Sequence, residues 1–132
     1  MEKIIDYFED GLRLEGVFFP MDGNKNAPVV LVVPTYAGRD QFTLDKAKAM
    51  NNLGYAGFAV DMYGEGKTGE AVEENMDLMN AILSDRPKLQ NRMLSAINAA
   101  KAAAGVENKK VAAIGFCLGG LCVLDIARTS CD

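Results

Sequence analysis

The segment from Ala27 to Pro34, APVVLVVP, holds no polar residue and shows no alternation. A strand with one face in water alternates apolar and polar positions, so an unbroken apolar run closed by proline needs cover on both sides. That is the position of a central strand in a parallel sheet, and it commits the chain to helices on the two sheet faces.

The flanking sequence supplies the other layers. Two short β-like runs in the first twenty residues meet at Asp10-Gly11, a dipeptide suited to the positive φ of a hairpin turn. Phe42, Leu44, Ala47, Ala49, Met50 and Leu53 recur at helical spacing, with Asp40 placed to cap this helix over 41–53 and Gly54 to stop it. YAGFAVDM, 55–62, predicts a second buried strand, and the glycine-rich YGEGKTG after it predicts a loop.

A second helix is expected over 70–83. It breaks at Ser84-Asp85-Arg86-Pro87, where proline fits the first turn of a new helix capped by Ser84 or Asp85. Leu89, Met93, Ile97, Ala100 and Ala104 trace one face of that third helix, which Gly105 ends. KKVAAIGF, 109–116, is the next strand, and 118–128 the last helix. The sequence predicts one α/β domain over 1–132, a mostly parallel sheet of about five strands: an N-terminal hairpin plus three parallel strands.

Charge narrows the partners. A net charge of −4 and a pI near 4.8 provide no basic footprint for nucleic acid and no polybasic patch for a membrane surface. The N-terminal residues lack the basic and long apolar regions of an export signal, so a cytoplasmic location is expected. The three cysteines, Cys117, Cys122 and Cys131, have neither zinc-site spacing nor a disulfide framework. They read as thiols, with no metal or cofactor implied, and Cys131 near the chain end is the one open to intermolecular oxidation.

The chemistry centres on Gly115-Phe116-Cys117-Leu118-Gly119-Gly120, which lies between a predicted strand and a predicted helix. In that setting G-x-[SC]-x-G is a nucleophile elbow: Gly115 and Gly119 make room for a sharp turn that presents Cys117. A helix N-terminus favours a thiolate there, and the Leu118 N–H points to where a substrate oxygen would become negative. The alternative is a glycine-mediated close packing or phosphate turn with Cys117 as filler. A dinucleotide site does not fit, because the glycine pattern is not G-x-G-x-x-G and the turn follows the last strand.

GFCLGG, with VVLVVPTYAGRD after the third strand and GFAVDMYGEG after the fourth, resembles the dienelactone hydrolase family of α/β-hydrolases, in which cysteine replaces the elbow serine. The likeness runs through nearly the whole chain and covers about the first half of a family member, an incomplete α/β-hydrolase fold. It implies a carboxylic ester or lactone hydrolase acting on a small substrate, with Cys117 as nucleophile. The resemblance assigns the oxyanion hole to the backbone N–H groups of Leu118 and Tyr36.

The family's aspartate and histidine follow the elbow. Here twelve residues follow Gly120 and none is histidine, so weak or absent hydrolysis is expected of this chain. Asp125 and Asp132 do not match the family's acid by position and are expected to be surface charges. Thr35 stands where the family often has an acid. Lys67 reads as a solvated charge, and no substrate-binding residue is assigned.

An elbow strand at the sheet edge, with an apolar helix face at Leu121, Val123 and Leu124, predicts a homodimer. Two other readings compete with the hydrolase: a non-catalytic homodimeric α/β module, and a redox-responsive thiol protein using Cys117 with a second cysteine.

Overall fold

The hairpin forms as its turn chemistry requires. In the computed structural model, which describes residues 1–105 and 111–129, β1 (Lys3–Glu9) and β2 (Leu12–Phe19) pair antiparallel. Asp10 and Gly11 take φ of 50° and 80°, the two positive values of a two-residue turn whose twist matches its strands.

All five residues of β3 (Val29–Val33) are buried. It lies parallel between β4 (Ala56–Ala59) and β5 (Ala112–Gly115) in a sheet of order β1-β2-β4-β3-β5. β4 rather than β3 is the middle strand, because the hairpin joins the sheet through β2 against β4. The α/β class and the hairpin plus three parallel strands stand as expected.

Helix α1 (Gln41–Ala49) covers one face over Val17, Phe19, Val32 and Ala59. Helices α2 (Val72–Leu83), α3 (Arg86–Ala104) and α4 (Leu118–Ala127) cover the other. The main core there includes Leu14, Leu31, Phe58, Leu89 and Met93, each fully buried. Burying side chains of this size stabilises by roughly 1.5–3 kcal/mol each. None of the helices in the described residues is long and apolar enough to cross a membrane.

Several boundaries move, each for a local reason. α1 is capped by Asp40, but its C-terminal end tightens into a 3₁₀ turn over Met50–Leu53 before Gly54 turns left-handed at φ 89°. β4 is shorter than the predicted 55–62 because Asp61 redirects the chain, accepting from the N–H groups of Tyr63 and Gly64. α2 starts at Val72 rather than 70, since Thr68 bridges to Gly38 and the Gly69 N–H is held by the Ala37 carbonyl at 3.0 Å. Asp85 caps α3 through the Lys88 N–H at 3.1 Å. Ser84 instead closes α2.

Two buried polar contacts were not expected. Arg92 on α3 pairs with Glu9 on β1 at 2.9 Å and donates to the Met62 carbonyl at 2.7 Å. Asp125 is not a surface charge: it is 3% exposed, because Arg86 at the start of α3 reaches across to it with Nε at 2.8 Å and Nη2 at 2.7 Å. Those charge-assisted hydrogen bonds outweigh burial and hold the Asp125 carboxyl below the usual carboxylate range.

The edge differs in detail from expectation. β5 pairs only with β3 among the described residues, and the first predicted residues of its strand, Lys109 and Lys110, lie outside them. On α4, Leu124 is 64% exposed, while Leu121 and Val123 are half-buried against the main core. The apolar face is therefore narrower than the three residues suggested. Asp132 and Cys131 lie outside the described residues.

Candidate active site

The chain leaves β5 through a turn that few side chains permit. Cys117 adopts φ 57° and ψ −114°, a conformation that costs a non-glycine residue about 1–3 kcal/mol. Hydrogen bonds on both sides hold it there: Gly119 N–H donates to the Phe116 carbonyl at 2.9 Å and Gly120 N–H to the Cys117 carbonyl at 3.0 Å. The thiol is exposed at the N-terminus of α4.

The flanking glycines are a packing requirement. A Cβ on Gly115 would overlap the backbone of Gly119, and a Cβ on Gly119 would overlap the Val33 carbonyl. β5, the elbow and the end of β3 thus meet backbone to backbone. The Phe116 N–H, 3.4 Å from the Val33 carbonyl, extends the ladder to the edge of the turn.

That contact brings the loop after β3 beside the elbow. Residues 35–38 form a turn closed by the Gly38 N–H on the Thr35 carbonyl at 3.1 Å. Thr35 Oγ1 accepts from the Ala37 N–H at 3.2 Å, and the Tyr63 hydroxyl donates to the Tyr36 carbonyl at 2.7 Å. These bonds leave the Tyr36 N–H unspent by the turn. The Leu118 N–H is likewise outside the elbow's own bonds, which use the N–H groups of Gly119, Gly120 and Leu121.

A third segment completes the surroundings. Asp61, fully buried at the end of β4, accepts four backbone N–H groups. Oδ1 takes Tyr63 at 3.0 Å and Gly64 at 2.9 Å, and Oδ2 takes Gly66 at 2.8 Å and Glu15 at 2.9 Å. The loop over 63–69 is therefore ordered by one carboxylate. Lys67 in it is not buried, as expected of a solvated charge. Glu15 also pairs with Arg39 at 2.8 Å and with Arg13 at 3.2 Å, making a charged rim beside the loop.

Asp61 and Tyr63 were missed in the sequence. The available signal was a lone acid ending an apolar strand just before Y-G-E-G, the pattern of a side chain that captures following N–H groups.

The other thiol is of a different kind. Cys122 is fully buried on α4, and burial first, then the charge of Asp125, push it up to about 12. It stays a neutral packing group at ordinary pH. No cluster of histidine, cysteine or acidic side chains able to hold a metal ion occurs among the described residues.

Residues 14–132 match the model of the dienelactone hydrolase family. The chain belongs to that family. Two solved structures agree over nearly all of it. The structure named m3DLH is 27% identical with a TM-score of 0.89, covering 97% of this chain and 54% of its own. A dienelactone hydrolase-like promiscuous phosphotriesterase from metagenomic libraries is 31% identical, also with a TM-score of 0.89 and the same coverages of 97% and 54%. An uncharacterized protein of Caenorhabditis elegans is 50% identical over 50 residues, which are 37% of this chain and 32% of that protein.

The chain spans about half the length of the two solved structures. The likeness takes in 97% of this chain.

Proposed function

We propose that this member of the dienelactone hydrolase family acts on carboxylic esters with Cys117 as its nucleophile. The observation that carries the reading is an exposed thiol on a strained turn, between two glycines whose Cβ atoms would strike backbone. A buried filler cysteine has no use for that strain.

In the proposed reaction the Cys117 thiolate adds to the ester carbonyl carbon, and the carbonyl electron pair moves onto oxygen. The oxyanion is met by the N–H groups of Leu118 and Tyr36. Collapse expels the alcohol oxygen as alkoxide or phenoxide and leaves a thioester, which water cleaves to the acid and the free thiol. The 132 residues contain no histidine, so no imidazole of this chain protonates the leaving group or activates that water. A general base is worth about 10²–10⁴-fold, and oxyanion stabilisation with binding sustains about 10³ over water without it. Activated esters are therefore the substrates of choice for this chain, with deacylation slow. Phosphotriesters are a second substrate class, favoured by the likeness to a promiscuous phosphotriesterase.

With p-nitrophenyl acetate the chain is expected to release a burst of nitrophenolate followed by slow turnover, and Cys117→Ala to release it at the buffer rate. Equal rates for the two chains would favour the non-catalytic module instead. The redox reading is the weaker alternative, because Cys122, the other described thiol, is buried and held neutral. A set of thiols without a disulfide framework fits action in the cytoplasm.

The partner we propose for the sheet edge is a second copy. β5 is short, apolar and free of charge or proline, so nothing in it discourages edge pairing. Ile114 within it and Leu124 on α4 are exposed. Light scattering should give twice the 14.2 kDa of one chain; a mass of one chain would contradict the dimer.

A further inference from the structure

We infer that Tyr63 and Thr35 are positioning residues that clamp the Tyr36–Ala37 peptide and so fix the Tyr36 N–H toward the developing oxyanion. The inference rests on reading Cys117 as an acyl-transfer nucleophile, and it concerns residues that reading does not use.

A peptide unit is planar, with its C=O and N–H pointing in opposite directions. The Tyr36–Ala37 unit is held at both ends: its C=O receives the Tyr63 hydroxyl at 2.7 Å, and its N–H donates to Thr35 Oγ1 at 3.2 Å. The preceding unit, Thr35–Tyr36, is held through its C=O by the Gly38 N–H at 3.1 Å. Two locked planes meeting at Tyr36 leave little rotation there. The group left over is the Tyr36 N–H, aimed away from the Thr35 carbonyl. An oxyanion donor works best when its orientation is set before reaction, and this turn sets it.

Tyr63 is well suited to the task. It is 8% exposed, and the Asp61 carboxylate fixes its backbone N–H at 3.0 Å. Burial, then the nearby Cys122 and Cys117, raise its hydroxyl above the ordinary tyrosine range, so it stays a donor through neutral pH. Thr35 was a departure from the family pattern in sequence; in the fold it is the second jaw of the clamp.

The test compares two reactions of the same sulfur. Acylation by p-nitrophenyl acetate passes through an oxyanion. Alkylation by iodoacetamide displaces iodide at a saturated carbon and forms none. In Tyr63→Phe and Thr35→Val, the acylation rate of Cys117 should fall about tenfold, less than the roughly 10²–10³ for deleting a donor outright. Alkylation should stay near that of the unaltered chain, and Thr35→Ser should retain rapid acylation.

Cys131→Ser in every chain, with peptide mapping, restricts the reading to Cys117. Should Tyr63→Phe not fold, Thr35→Val at its half-buried loop position carries the comparison. Acylation unchanged in the variants, or falling in step with alkylation, would overturn the clamp alone. Absence of any acyl group on Cys117 in the unaltered chain would overturn both the clamp and the esterase reading.

Discussion

Gly119→Ala is expected to lower stability by roughly 2 kcal/mol or more, while Gly120→Ala, one residue on, is expected to raise it by up to about 1 kcal/mol. Helix propensity alone favours alanine at both positions of α4 by about that last amount. Packing separates them. A Cβ added to Gly119 would overlap the Val33 carbonyl and come within 2.7 Å of the Pro34 carbonyl, whereas the nearest atom to one added to Gly120 would be 3.7 Å away. Backbone cannot rotate aside as a side chain can, so relief at Gly119 means moving α4 off β3. Urea or guanidinium midpoints at constant slope give both differences. Stabilisation by both substitutions would mean that the elbow does not press on β3, and the account of how Cys117 is presented would fail with it.

A larger loss is expected for Asp61→Ala, about 3 kcal/mol or more. Four N–H groups converge on this carboxylate at 2.8 to 3.0 Å. Each buried donor left without a partner costs about 1–3 kcal/mol, with water relieving those nearer the surface. Domains of this size are stable by only about 5–15 kcal/mol, so the variant should be marginal at physiological temperature. Its loop should also open. Lys67 lies in that loop and is not buried, and trypsin should cut after it much faster in Asp61→Ala than in the unaltered chain. Unchanged cleavage with unchanged stability would show that the loop holds its shape without Asp61.

The features legible in sequence are those decided by local chemistry. Asp10-Gly11 specifies its hairpin because the turn demands positive φ. APVVLVVP specifies a doubly covered strand because nothing in it can face water. The glycines around Cys117 specify an elbow because the turn excludes Cβ atoms. What escaped depends on segments distant in sequence. Asp125 is buried only because Arg86, 39 residues earlier, arrives beside it. Tyr63 reaches a carbonyl 27 residues away. Asp61 ends β4 early by gathering N–H groups from the following loop and from β2. No periodicity marks such contacts, since each involves one polar group whose partner is chosen by how the layers stack. The sharp turn at Cys117 was legible from its glycines; the hydrogen bonds of Tyr63 and Thr35 to the loop after β3 were not.

The most direct measurement is the intact mass of the chain, quenched in acid during exposure to p-nitrophenyl acetate and followed by peptide mapping. One acetyl group is expected, added rapidly as a thioester on Cys117 and absent from Cys117→Ala. An unmodified Cys117, or acetylation spread over lysines at the same rate in both chains, would contradict that expectation.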